Sequence, residues 1–392
     1  MAPRVTRRDV IVRCASGKHA VRLAGGLRFW RKARCPVCRA PVDPRGTRRL
    51  GRWLLNLGRP ASPWWLHKAL WAAALAFLVS SVLAAGLLWG LSDAWWPATV
   101  LLFGPRWVLL LPLLLLVPMA LVWDRPLTSV LLVAGVILLG PVMGFRAGLR
   151  WPVAEGGPEG ALTVVTLNAR GGETLLRSGP NLLADWDPDI LAVQECGPGL
   201  AAELRLDPSW KVDSRSGVCL ASRLPILEVV EMDRDALEFA GGSGLVVTYT
   251  LDLNGTPIRV TNLHLETPRA GFELLRSGRL RAGIPKVSER SFLRGVELKR
   301  AADWTQDLSG AQIVLGDFNT PPESRLYRQS WGPWQNAFSV AGWGLGGTRL
   351  NGWIRARIDH ILVNDGWRVL DAWVGDDIGS DHLPVFARIR RR

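Results

Sequence analysis

Asp359-His360, Asp381-His382 and the string Gly316-Asp317-Phe318-Asn319 all stand where apolar runs meet polar residues, in the last third of this 392-residue chain. The placement recurs upstream: Asn168 closes ALTVVTLN, Glu195 closes DILAVQE and His264 closes IRVTNLH. With side chains alternating along a strand, Asp317 and Asn319 face one way and Phe318 faces the core. The set offers carboxylates, carboxamides and imidazoles. That equipment suits transfer at phosphorus, which needs charge relief on the equatorial oxygens, an activated water and a stabilised leaving group. Glu195 is a hard oxygen ligand for magnesium or manganese, and Asn168 completes the shell or orients a phosphate oxygen. His382, backed by Asp381, acts as general base or donates to phosphate once protonated. His264 and Asn319 donate to non-bridging oxygens, and Asp317 orients water and accepts its proton. Asp359 reads either as a site residue or as scaffold, and His360 as structural. Each residue taken alone could cap a turn or end a strand; their joint occurrence at strand ends carries the case.

The elements that must position these groups are legible as apolar runs. Ala161–Gly171 and Asp189–Glu195 read as buried strands, and GVCLASRLPI as a short strand with a polar exit. Two period-two runs around Asn254-Gly255 predict a hairpin ending near His264. VSERSFLRGVELKRAADWTQDLSG predicts a helix of about four to five turns. AQIVLGDFN, RIDHILVND and SDHLPVFARIR are further strands. The pattern predicts an α/β fold of two packed sheets with helices outside. A doubly wound nucleotide fold is excluded for want of a Gly-rich turn after the first strand, and no GxSxG elbow appears. Cys196 is expected as a small core or near-site residue, with pairing to Cys219 as the alternative.

In order along the chain, TLNAR, VQE, ASRLPI, TNLHLE, GDFNTPP, RIDHIL and SDHLPV resemble the endonuclease/exonuclease/phosphatase superfamily. The resemblance runs from about Thr163 to Val385. It implies a two-sheet α/β sandwich with its site at one end and a dependence on a divalent ion, usually magnesium. It also implies roles: Glu195 as main metal ligand, Asn168 near metal and phosphate, and His264 against the phosphate. Asp317 and Asn319 would orient the nucleophile and hold the phosphate. Asp381 and His382 would be the final Asp-His pair, and Asp359 a site-adjacent aspartate. The preceding apolar runs add a similarity to bacterial membrane proteins carrying this domain.

Charge is unevenly spread. The net charge is +14, yet Met1–Lys68 holds 17 basic residues against Asp9 and Asp43, whereas Ala161–Arg392 holds 27 basic against 28 acidic residues. Three apolar runs, about Ala69–Leu91, Trp107–Trp123 and Thr128–Phe145, predict three transmembrane helices with a cytoplasmic N-terminus. The expected location is therefore the inner or plasma membrane, multi-pass, with an extracytoplasmic catalytic domain. In the tail, Cys35-Pro-Val-Cys38 has zinc-knuckle spacing, and Cys14 and His19 would complete a structural Zn2+ site resembling a degenerate zinc ribbon. The expected domains are a zinc-ribbon-like module (1–45), a basic linker (46–68), three transmembrane helices (69–148) and the catalytic sandwich (160–392).

The function this predicts is a membrane-anchored, divalent-metal-dependent phosphohydrolase. Its expected partners are the lipid bilayer and a phosphate ester, with no obligate protein partner. A phosphodiesterase acting on nucleic acid or phospholipid leads. The alternatives are a phosphomonoesterase, an inactive membrane scaffold and a nucleic-acid binder acting through the basic tail. From Arg269 to Arg300 nine basic residues face three acidic ones, a stretch suited to flank a phosphate-binding cleft.

Overall fold

A computed structural model of the chain describes residues 9–13, 20–24, 39, 64–148, 160–179, 181–351 and 354–392. They divide into two compact units, Met1–Ala72 with Pro118–Thr128, and Ala73–Val117 with Ser129–Arg392. In the first, Asp9–Arg13 pairs antiparallel with Ala20–Ala24. There Asp124 also accepts from the Trp71 indole N–H at 2.7 Å and meets His67 Nδ1 at 2.7 Å.

The second unit is built on two six-stranded sheets. Their strands are β1 (Ala161–Asn168), β2 (Ile190–Gln194), β3 (Lys211–Arg215), β4 (Val218–Ser222), β5 (Ile226–Glu231), β6 (Leu245–Leu253), β7 (Thr256–His264), β8 (Gln312–Asp317), β9 (Gln335–Asn336), β10 (Asp359–Val363), β11 (Trp367–Val374) and β12 (Val385–Arg391). One sheet runs β11-β12-β1-β2-β4-β3 and the other β9-β10-β8-β7-β6-β5. Each has a single parallel pair, β1 with β2 and β7 with β8. The expected hairpin is β6–β7, turning at Asn254-Gly255 with both residues at positive φ. Between the sheets lies a core that includes Val164, Ile190, Val247, Tyr249, Ile313, Ile361 and Ile389. The outer faces are covered by short helices on one side and by the long helix Leu280–Gln306 on the other, through Leu298, Ala301 and Ala302. The two-sheet sandwich expected from the sequence is the fold observed. The long helix starts earlier than expected, taking Pro285 into its first turns.

The membrane expectation is corrected. Among the described residues, only Trp64–Ala94 and Arg106–Trp123 are helical, long and apolar enough to cross a membrane, and the third run forms the shorter apolar helix Leu127–Val142. Gly140-Pro141 falls in its last turn, which loosens to a π-helix. Only 17 % and 11 % of the two longer candidates' most apolar windows are buried, so both leave most of that surface exposed and neither is a deeply buried span. The expected three-span anchor and multi-pass location do not stand, and with them goes the similarity to membrane-anchored relatives. Hydropathy saw the apolar runs but not the buried polar groups that tie their connections to the sandwich. Asp93 accepts from Arg294 at 2.7 Å and from Ser324, and Arg106 donates to Glu323 at 3.0 Å. Arg146–Ala147 adds a strand to Trp343–Gly344. The zinc ribbon is corrected as well. The described part of the tail is one two-stranded sheet, Cys14, His19, Cys35 and Cys38 lie outside the described residues, and no zinc-type cluster exists among those described.

These buried pairs make a measurable prediction. Arg294 is fully buried, its guanidinium packs over the Phe103 ring, and Asp93 is buried with it. Arg294→Ala strands Asp93, and breaking such a pair costs about 3–5 kcal/mol. Burial alone would raise the Asp93 and Glu323 carboxyls, but Arg294 and Ser324 outweigh it for Asp93, and Arg106 and Arg357 for Glu323, so both are lowered. A depressed folded-state pKa contributes stability that is present above about pH 4 and is lost as pH falls through the folded values. Thermal melts should therefore show the wild type losing more stability between pH 5 and 3 than Arg294→Ala does. Equal acid sensitivity would remove the pair from the account.

Candidate active site

Gly316 explains how Asp317 reaches the site. It sits at φ +142° beside β7, where a Cβ would lie 1.9 Å from the Leu263 carbonyl oxygen. Only glycine lets the parallel strands stay paired through His264 and Asp317. Asp317 and His264 thus end neighbouring strands side by side. Asn168 and Gln194 do the same on β1 and β2 of the facing sheet. Glu195 follows at φ +47°, and this left-handed step takes its side chain out of the strand's alternation and into the open.

The two sheet ends converge on one oxygen. Asp317 Oδ2 lies 3.1 Å from Asn168 Nδ2, 3.7 Å from His264 Nε2 and 3.8 Å from His382 Nε2. Asn168 Nδ2 also donates to Glu195 Oε1 at 3.0 Å, and His264 Nε2 lies 3.8 Å from that oxygen. The two imidazole separations exceed a hydrogen bond and leave space for a further oxygen between the groups. Asn319, at φ +48°, donates its amide to the Leu265 carbonyl, while its backbone N–H is held by Asp317 Oδ1. The carboxamide therefore braces the loop as well as bordering the site.

His382 is backed by Asp359, 2.8 and 3.0 Å from Nδ1, and not by its sequence neighbour Asp381. Asp381 lies in the bend before β12 and turns instead to Arg349 at 2.6 Å and Arg170 at 3.6 Å. Burial opposes the His382 imidazolium, but Asp359 and then Asp317 outweigh it, and the group is raised to about 9. Burial and then Asp359's charge push the Asp317 carboxyl up, against the pull of His382 and His264. Asp359 is nearly fully buried, so the dyad is sealed from solvent on its carboxylate side. His360 faces the opposite way, with Nε2 at the Thr320 carbonyl and its ring against Phe318 and Tyr327. Burial, with Arg357's charge, lowers it to about 4, so it is neutral and structural.

Several supports were not visible as motifs. Thr348 Oγ1 accepts from the Ile358 and Asp359 amides, and its carbonyl accepts from Leu383 N–H, so one residue braces both halves of the dyad. Ser380 Oγ donates to the Asn168 carbonyl. Beneath the site, Gln194 Nε2 donates to Asn262 Oδ1 at 2.7 Å, and Asn262 Nδ2 donates to the Cys219 carbonyl at 2.9 Å. This buried polar network ties the sheets together just below the catalytic groups. The Gln of VQE and the Asn of TNLH were the available signal, since both are polar residues inside apolar runs. Arg170 and Arg349 at the rim had no such signal. Cys196 and Cys219 form a disulfide, where the sequence favoured unpaired cysteines. Strand β4 lies antiparallel to β2, which brings residues 23 apart to a Cα separation of 5.8 Å.

The donor set fits a divalent cation. Asp317, Asp359 and His382 can each bring a ligand atom within 4.8 Å of the others, the one such grouping among the described residues. Glu195 adds an accessible hard oxygen, and Asp381 Oδ1 is buried with no hydrogen-bond partner among the described residues.

Residues 165–382 match the Endonuclease/Exonuclease/phosphatase family, more than half of the chain, and the chain belongs to that family. Among solved structures it is similar to D. rerio TDP2 complexed with single strand DNA product, at 14% identity over 59% of this chain and 100% of that one, TM-score 0.45. It is also similar to truncated Caenorhabditis elegans TDP2 (15% identity, 59% and 98% covered, TM-score 0.45). A third is the 3' phosphatase NExo from Neisseria bound to a product DNA hairpin (22% identity, 58% and 98% covered, TM-score 0.42). No curated protein matches the chain. Family membership and the buried carboxylate–imidazole group together make the chain a metal-dependent phosphoric ester hydrolase.

Proposed function

We propose that the hydrolase is a phosphodiesterase whose substrate is a nucleic-acid-type phosphodiester, cleaved by metal-assisted attack of water. The observation that carries this is the convergence of Asn168, His264 and His382 on Asp317 Oδ2, with Glu195 alongside. Glu195, with Asn168, would hold Mg2+ or Mn2+; the bound cation supplies Lewis acidity toward the phosphate and the departing oxygen. His264 lies partly exposed between Glu195 and Asp317, where it donates to a non-bridging oxygen. Asp317 orients the attacking water and takes its proton; its raised affinity for protons suits that role. His382, held as an imidazolium by Asp359, donates toward the phosphate as charge develops. Arg170 and Arg349 at the rim, with Arg269 near enough to sense Asp381 and Glu195, favour a substrate with charge beyond the scissile group.

The test is a substrate panel for the purified chain, with and without Mg2+: single-stranded DNA, a phospholipid in micelles and a phosphomonoester. Preferred DNA hydrolysis that also falls on Arg170→Ala and Arg349→Ala supports the proposal. Preference for the phospholipid head group or the monoester would replace it.

A further inference from the structure

We infer that the protein holds a second ligand site, away from the carboxylate cleft, built for an oxyanion that carries an apolar group. The site is a cavity of about 650 Å³ whose lining includes Arg106, Arg355, Arg357, Trp107, Trp343 and Trp373. No Asp or Glu lines it. Arg357 is the critical residue. It is only 3 % exposed, yet its Nε, Nη1 and Nη2 have no hydrogen-bond partner among the described residues. The nearest carboxylate oxygen, Glu323 Oε1, is 3.8 Å away, and the other oxygen of Glu323 is taken by Arg106 at 3.0 Å. One buried carboxylate thus faces two buried guanidiniums, which leaves an excess of positive charge beside the cavity. A buried, unsatisfied guanidinium is costly, and a planar fork of N–H donors matches a carboxylate or phosphate edge.

The walls narrow the ligand's chemistry. Phe338 stacks under the Arg357 guanidinium at 5.3 Å and also lines the cavity, which continues past Trp343 and Leu345. A bare inorganic anion would satisfy Arg357 and leave that aromatic surface empty. The volume lies within the range of about 300–1,000 Å³ typical of organic-ligand pockets. An alkyl or aryl carboxylate or phosphate satisfies both halves. This site is independent of the catalytic reading: its lining includes none of Asn168, Glu195, His264, Asp317 or His382.

Calorimetric titration of the full chain with octyl phosphate and with octanoate tests the inference, with octyl glucoside and inorganic phosphate as controls. At least one octyl oxyanion should bind saturably at one site, at least tenfold tighter than either control. The tighter of the two tells whether the site takes phosphate or carboxylate. Arg357→Met should weaken that binding at least tenfold, and Glu195→Gln should leave it within twofold, which separates this site from the catalytic cleft. If Arg357→Met loses its cooperative melt, Arg355→Gln at the exposed rim decides instead, with a threefold or greater weakening expected. The inference is overturned if no octyl oxyanion binds, if octyl glucoside binds as tightly, if the deciding arginine variant binds like wild type, or if Glu195→Gln abolishes binding.

Discussion

Glu195→Gln should lower Mg2+-dependent phosphodiester hydrolysis by about 10²–10⁴-fold, the several kcal/mol that Lewis-acid stabilisation contributes. The substitution keeps shape and hydrogen-bonding capacity and removes one negative charge. The side chain is 44 % exposed and its partner is the Asn168 amide, so the fold has little to lose. The melting midpoint should stay within a degree or two. Initial rates on a chromogenic diester across a Mg2+ series measure the effect. A rate near wild type at saturating Mg2+ would take the cation away from Glu195 and toward the Asp317–Asp359–His382 group.

His382→Ala should cost about 10²–10⁴-fold in kcat, the usual worth of a positioned proton donor. Asp359→Asn tests how that donor is held. In the wild type His382 is protonated below about pH 9, so activity that needs the imidazolium should fall as pH rises through that value. Removing the Asp359 charge removes the main support of the imidazolium, so the alkaline limb should move toward the histidine range near 6.5. An Asp359→Asn profile that falls uniformly, with its limb unmoved, would reduce Asp359 to scaffolding.

The chemistry-bearing residues were legible because each ends an apolar run, and runs of that kind become strands whose ends meet. Gly316-Asp317-Phe318-Asn319 is the clearest case: the glycine admits the close approach of β7, Asp317 ends the strand at the site, the ring is buried and Asn319 braces the loop that follows. What was not legible depends on which strand lies beside which. Sequence adjacency offered Asp381 as the partner of His382, whereas the bend before β12 turns Asp381 to Arg349 and Asp359 reaches His382 from another strand. The Cys196–Cys219 pair depends on β2 and β4 being neighbours, which no local pattern encodes. The apolar runs were read by composition, and composition says nothing of Asp93 and Arg106 locking onto Arg294 and Glu323. The cavity at Arg357 was likewise invisible, since an arginine two residues before an aspartate looks like any surface cation.

The order β11-β12-β1-β2 places the last strand of the chain beside the first strand of the sandwich, in the interior of its sheet. The two strands are separated by more than 200 residues of chain, and the closure entropy of so long a loop makes their pairing a slow, late contact in folding. Asn168 ends β1 and His382 stands just before β12, so the site comes together only once that long-range pairing has formed.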